Sequence, residues 1–142
     1  MNYLIDTCVI SEFVKKTPNS EIVQWFNQQQ IEQLYLSSVT IAEIKKGIYK
    51  IQDSQPERYQ RLSLWLQTIE VEFSARILPI NNDVLDNWAK ISANAELKGK
   101  KLAVMDSLIA ATAYHYKLIL VTRNVDDFKM TPIKIINPYL QV

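Results

Sequence analysis

Short apolar runs alternate with amphipathic stretches along this chain of 142 residues, and this alternation limits the possible folds more than any other feature. The runs are rich in β-branched, aromatic and aliphatic side chains, as buried strands are. The predicted strands are residues 3–5, 34–38, 77–80, 118–122 and 134–137. Between them, apolar residues recur every three or four positions, which is the spacing of an amphipathic helix.

The order of these elements predicts an α/β fold. We expect a single domain over residues 1–142, built as a three-layer sandwich in which helices flank a central, mostly parallel sheet. The predicted helices cover residues 6–14, 40–51, 56–73 and 105–116, with two more beginning near Ser20 and Asn81.

Composition excludes several classes of protein. No apolar run approaches the roughly 20 residues that a membrane-spanning helix needs. The net charge of +1 is too small for nucleic-acid binding by bulk charge, although a local group of lysines and arginines remains possible. The single cysteine, Cys8, excludes an internal disulfide and fits a reducing compartment. We therefore expect a cytoplasmic protein that does not contact a membrane.

Acidic and amide residues stand where the predicted strands end. Asp6 follows the first strand, Glu43 lies just past the second, and Asp106 opens an apolar helix that leads into the strand at 118–122. Asn124 follows that strand. Open α/β sheets place their ligands at the carboxyl edge of parallel strands, so these side chains are predicted to converge there.

Carboxylates gathered in this way favour a bound cation. Two like charges about 4 Å apart repel by about 4 kcal/mol at an effective dielectric of 20. Mg²⁺ or Mn²⁺ removes this conflict, because hard cations take carboxylate oxygens and water as ligands. Asp6 and Asp106 are the leading ligand candidates, followed by Glu43. With His115 as the only histidine, the usual zinc sites and catalytic triads cannot be assembled.

Helix capping is an alternative explanation of each acid. Asp6 and Asp106 stand at predicted helix starts, where aspartate is a preferred N-cap. Thr40 and Glu43 match the spacing of a capping box. However, the helical wheel places Glu43 away from the apolar stripe of its helix, so this side chain can face a cleft. Capping does not explain why the acids would share one edge of the sheet.

Four segments of the chain resemble the motifs of PIN-domain proteins, in unchanged order. They are Leu4-Ile5-Asp6-Thr7-Cys8-Val9-Ile10-Ser11-Glu12, residues 36–48, residues 106–113 and residues 120–128. Within that family the chain is most similar to the VapC and FitB toxins of bacterial toxin–antitoxin pairs. The resemblance implies a single-strand endoribonuclease that depends on Mg²⁺ or Mn²⁺ and is restrained by a cognate antitoxin of the VapB or FitA type.

The resemblance also implies roles for individual residues. Asp6, Glu43 and Asp106 would form the acidic core, and Asn124 would occupy the fourth acidic position as a catalytic residue. Cys8 stands where asparagine is common in the family. Relatives of this type form homodimers or larger complexes with antitoxin, and they contact DNA only through the antitoxin.

Several polar side chains near the predicted edge are candidates for binding the RNA substrate. They are Thr7, Ser11, Lys46, Thr122 and Arg123. For the hydroxyl residues, helix capping is an equally valid interpretation, and a solvated surface is the alternative for the basic ones. Asp126 or Asp127 is a candidate for a metal contact through water, and helices carrying Tyr59, Trp65 and Trp88 are candidates for docking a partner helix.

Two other functions fit parts of the pattern. A non-enzymatic, receiver-like signalling domain also gathers acids and Mg²⁺ at the carboxyl edge of a parallel sheet. A PIN domain that has lost its activity because of Asn124, and that only binds an antitoxin, is the second alternative.

Overall fold

A parallel sheet forms the middle layer of the computed structural model, which describes residues 1–140. Its strands are β1 (Tyr3–Ile5), β2 (Leu34–Ser37), β3 (Ile77–Leu78), β4 (Ile119–Val121) and β5 (Ile135–Ile136). All four neighbouring pairs run parallel, in the order β3-β2-β1-β4-β5. The predicted α/β sandwich is therefore confirmed. The first strand has the predicted bounds, and the other four are present in a shorter form.

Helices cover both faces of this sheet. They are α1 (Thr7–Ile10), α2 (Ser20–Asn27), α3 (Ser38–Lys50), α4 (Pro56–Glu72), α5 (Asn82–Leu97) and α6 (Val104–Tyr116). The predicted helix over residues 6–14 is instead the short α1 followed by a 3₁₀ turn at Ser11–Val14. Gly99, with a φ of 88°, follows α5 in a conformation that glycine adopts without strain. Within residues 1–140, no helix has the length and apolar character needed to cross a bilayer.

Successive residues of each strand supply opposite faces of the sheet, as the two-residue period of a strand requires. Leu4 and Leu120 pack on one face with α6, whereas Ile5 and Val121 pack on the other with α1 to α4. All four are fully buried. Each contributes about 1.5–3 kcal/mol of stability relative to an exposed side chain.

The strand order fixes where a ligand can bind. From β1 the chain order proceeds to β2 and β3 on one side and to β4 and β5 on the other, so the topological switch point lies between β1 and β4. Ile5 is paired with Val121, which places Asp6 opposite Thr122 at the carboxyl edge. Receiver-like domains use the order 2-1-3-4-5. The receiver-like alternative is therefore wrong.

Candidate active site

Asp6 occupies the switch point itself, directly after β1. Its carboxylate is buried and accepts hydrogen bonds from the Thr7 backbone N–H (2.8 Å) and from the Thr122 hydroxyl (2.6 Å). The first of these bonds confirms the predicted cap of α1. An ionised carboxylate has about four acceptor positions, so these two bonds and a longer one of 3.5 Å from the Cys8 thiol leave part of Asp6 available to a ligand.

Glu43 faces a cleft rather than capping its helix. The cap of α3 is Ser37, whose hydroxyl accepts the Val39 N–H at 3.0 Å, so Glu43 lies in the second turn and the predicted capping box is wrong. The Glu43 carboxylate accepts a hydrogen bond of 2.7 Å from the Thr7 hydroxyl. It lines a cleft of about 270 Å³ between α1, α3 and α4, together with Thr7, Ser11, Gly47, Arg58 and Trp65.

Asp106 also is not a helix cap. Helix α6 begins at Val104, and Asp106 lies in its first turn with no capping hydrogen bond, so the predicted cap is wrong. The pKa of this half-buried carboxyl is raised from 3.8 to about 6. Burial is the largest cause, followed by the negative charges of Asp6, Asp127 and Glu43. The acids therefore share one electrostatic environment.

The raised pKa of Asp106 has an energetic consequence. The folded protein holds this proton more tightly than the unfolded chain, so the free energy of unfolding falls as the pH rises from about 4 to about 6. Discounted for solvent screening, the cost of ionising Asp106 is about 1 kcal/mol. An adjacent divalent cation would offset this cost.

The donor set fits a hard divalent cation. In the part of the chain that the structure describes, the salt bridges are Lys15–Glu12, Lys90–Asp86 and Lys129–Asp126, and none of them involves the acids of the site. No three histidine, cysteine, aspartate or glutamate side chains within residues 1–140 already stand close enough to form a metal cage. Mg²⁺ rarely needs a cage made only of protein ligands, because it usually keeps several waters and takes one or two protein carboxylates plus substrate oxygens. Coordination by Asp6, Glu43 and Asp106 stays a prediction.

Thr122 connects the end of β4 to the acids. Its fully buried hydroxyl donates to Asp6 and accepts the Asn124 backbone N–H at 3.0 Å. Asn124 itself is exposed. Of the two aspartates that follow, Asp126 forms a salt bridge with Lys129, whereas Asp127 acts on the pKa of Asp106. The sequence offers either Asp126 or Asp127 for a metal contact through water, and of these two only Asp127 has this electrostatic link to Asp106.

The cysteine beside Asp6 behaves as a neutral group. The Cys8 thiol is half-buried and lies 3.5 Å from the Asp6 carboxylate. Burial, followed by the charge of Asp6, raises its pKa to about 11. The thiol therefore keeps its proton at neutral pH and is a hydrogen-bond donor to Asp6.

The remaining candidates lie around the acids in different ways. Thr7 and Ser11 line the cleft, and Lys46 is exposed one turn beyond Glu43 on α3. Arg123 is exposed directly after Thr122. Their contacts with a substrate stay predictions. Thr122 is so deeply buried that its hydroxyl is better placed to hold Asp6 than to touch a substrate.

The tryptophans do not form one docking surface. Trp65 lines the cleft and also an adjoining apolar groove between α2 and α4. Trp88 lies on α5 and packs against α6 instead, and its indole N–H donates to the Ser107 hydroxyl at 2.9 Å. The prediction that groups Trp88 with Trp65 and Tyr59 is wrong, because the helical pattern does not indicate which sheet face each helix covers.

Comparison with known proteins identifies the fold family. A family model described as PIN domain matches residues 3–134. The chain belongs to the PIN-domain family. The toxin FitB of Neisseria gonorrhoeae is 34% identical over 138 residues, which cover 96% of this PIN domain and 97% of FitB. The VapC ribonuclease Y4jK of Sinorhizobium fredii is 32% identical over 140 residues, 96% of each chain.

Solved structures agree with this assignment. The crystal structure of FitAcB from Neisseria gonorrhoeae contains a chain that superimposes on this PIN domain with a TM-score of 0.88 at 33% identity. The alignment covers 98% of this chain and 99% of that one. A chain in the structure of FitAB bound to an IR36 DNA fragment superimposes with a TM-score of 0.87 at 32% identity, over 99% and 97% of the two chains.

Proposed function

We propose that this PIN domain is a divalent-metal-dependent endoribonuclease that cleaves single-stranded RNA and serves as the toxin of a toxin–antitoxin pair. The observation that supports the proposal is the influence of the Asp6 and Glu43 charges on the pKa of Asp106, with Asp6 at the switch point of a fold whose relatives are named ribonucleases and toxins. The products would be RNA fragments formed by hydrolysis of a phosphodiester bond.

Each acid has a distinct part in this proposal. Asp6 and Asp106 would hold Mg²⁺ or Mn²⁺, with Glu43 as a further ligand. The bound ion would lower the pKa of a water molecule and stabilise the negative charge that develops on the phosphodiester. Thr122 fixes one oxygen of Asp6, and Thr7 fixes one oxygen of Glu43, so both carboxylates are oriented before a substrate arrives.

An antitoxin is the proposed protein partner. The similar chains described above come from FitAcB and FitAB, the second bound to DNA. An apolar groove of about 280 Å³ adjoins the cleft and shares Trp65 with it, and its other aromatic walls are Phe13, Phe26 and Phe73. We assign this groove to an apolar segment of the antitoxin, which can then reach the acids. DNA would be contacted through the antitoxin, and a homodimer or larger complex is expected.

The decisive assay uses purified protein without antitoxin and an end-labelled single-stranded RNA. Cleavage is expected with Mg²⁺ or Mn²⁺ and not with excess EDTA, and it should return when Mg²⁺ is restored. The same sequence as a duplex, or as single-stranded DNA, should stay intact. Undiminished cleavage in EDTA would contradict the metal dependence. Folded protein that cleaves no RNA but binds antitoxin would instead support the inactive-domain alternative based on Asn124.

A further inference from the structure

An exposed arginine, one residue beyond Thr122, lies over a tyrosine. The guanidinium carbon of Arg123 is 4.1 Å from the centroid of the Tyr139 ring. In this cation–π contact the ring covers one face of the guanidinium. The N–H donors around the edge of the guanidinium stay available for an anion. Within residues 1–140, Arg123 forms no salt bridge with a carboxylate.

Tyr139 is itself held in place by a buried acid. Its hydroxyl donates a 2.8 Å hydrogen bond to Glu12, which is only 2% exposed. Glu12 also accepts from the Lys15 ammonium at 2.8 Å and from the Asn19 backbone N–H at 3.1 Å. Hydrogen bonds to a buried charge are stronger than those between neutral groups, so the ring of Tyr139 is a rigid support.

Arg123 lies close in sequence to the proposed reaction centre. Arg123 directly follows Thr122, whose hydroxyl binds Asp6. The Asn137 side-chain amide donates to the Arg123 backbone carbonyl at 3.5 Å, and its carbonyl oxygen accepts the Tyr139 N–H at 3.0 Å. The segment after β5 is therefore bonded to the segment after β4. Together with the contact between the Tyr139 ring and the guanidinium, these bonds orient the Arg123 side chain.

We propose that Arg123 binds a phosphate of the RNA next to the bond that is cleaved, and that Tyr139 is the positioning residue that holds the guanidinium for this contact. The inference rests on the proposed RNA substrate and adds a phosphate subsite to it. Arginine suits this task because its planar fork matches two phosphate oxygens at once. A favourable charge at this point matters in a protein of net charge +1, whose overall field attracts RNA only weakly.

The test measures RNA binding and cleavage in parallel on the full chain. Affinity for a labelled single-stranded RNA is measured by fluorescence anisotropy in EDTA, where the proposed activity is absent, at several salt concentrations. KM and kcat are then measured in Mg²⁺. Arg123→Ala should weaken binding about tenfold and lower the slope of log affinity against log salt by about one. The loss should fall mainly on KM, because a neighbouring phosphate contact is uniform binding.

Variants of Tyr139 separate positioning from a general structural role. Tyr139→Leu removes the ring and should weaken RNA binding about threefold to fivefold. Tyr139→Phe keeps the ring but loses the bond to Glu12 that holds it in place, so binding should weaken by about twofold, less than in Tyr139→Leu. In the double variant with Arg123→Ala, Tyr139→Leu should add no further loss, because it acts through Arg123.

Lys134→Ala is the matched control for the lost charge. Lys134 is exposed and stands just before β5, at the amino edge of the sheet away from the acids. This variant should bind RNA like the wild type. Arg123→Lys keeps the charge without the planar fork, and it should recover only part of the lost affinity.

The outcomes distinguish this inference from the proposed function. Wild-type protein that cleaves RNA, with Arg123→Ala binding as tightly as the wild type, would overturn the phosphate contact alone. If the double variant lost RNA affinity by the product of the two single losses, Tyr139 would act independently of Arg123, and the positioning role would be overturned. Wild-type protein that neither binds nor cleaves RNA would overturn the proposed function and this inference together.

Discussion

Asp6→Asn is expected to reduce the rate of RNA cleavage about a thousandfold or more. A catalytic metal supplies several kcal/mol of transition-state stabilisation, and each 1.36 kcal/mol is a factor of ten in rate. The amide carries no negative charge for the cation, but its remaining oxygen can still accept the Thr7 N–H that caps α1. The measurement is single-turnover cleavage in saturating Mg²⁺, with thermal melting to confirm that the variant is folded.

Asp86→Asn is the matched control for Asp6→Asn. Asp86 is exposed on α5 and pairs with Lys90, so its replacement removes one carboxylate without touching the site. Cleavage by this variant should equal that of the wild type. If the folded Asp6→Asn variant cleaved RNA at the wild-type rate, the reaction would not depend on the acid at the switch point.

Thr122→Val is expected to reduce cleavage about tenfold to a hundredfold and to raise the Mg²⁺ concentration at half-maximal activity. Partners that orient a metal ligand typically have effects of this size. The hydroxyl lies 2.6 Å from the Asp6 carboxylate and is fully buried. Valine has nearly the same shape, so the packing is retained while the hydrogen bond is lost. The Asn124 N–H also loses its acceptor, which should lower the free energy of unfolding by about 1–3 kcal/mol.

Thr122→Ser provides the comparison for Thr122→Val. Serine keeps the hydroxyl that donates to Asp6 and accepts from Asn124, and it removes only a buried methyl group. Its Mg²⁺ dependence should match the wild type, although its stability should fall by roughly 1 kcal/mol. If Thr122→Val cleaved RNA with the wild-type Mg²⁺ midpoint, Thr122 would have no role in orienting Asp6.

The sequence predicted the layered fold and the position of Asp6 at the carboxyl edge of the sheet. Short β-prone runs and helical periodicity are local signals, and the carboxyl edge of a parallel sheet follows from their order. Helix starts were harder to predict from the sequence, because capping depends on backbone geometry as well as residue type. The structure assigns the cap of α3 to Ser37, so the pattern of Thr40 and Glu43 was misleading.

Contacts between distant segments could not be read from the sequence. The Thr7 hydroxyl reaches Glu43 across 36 positions, and Thr122 reaches Asp6 across 116. Both contacts depend on strand register and helix rotation, which are set only when the core packs. The same applies to Glu12 and Tyr139, which lie 127 positions apart and meet through one hydrogen bond.

Binding of Mn²⁺, followed by the loss of the free-ion signal in electron paramagnetic resonance, tests the central claim most directly. The wild type should bind Mn²⁺ at about pH 7.5 and bind it roughly tenfold more weakly at about pH 5, because a ligand must lose its proton to bind a metal. That shift follows from the pKa of Asp106, which is about 6. Asp106→Asn should lose most of the binding at both pH values. Equal, pH-independent Mn²⁺ binding by the wild type and Asp106→Asn would contradict a metal site formed by these acids.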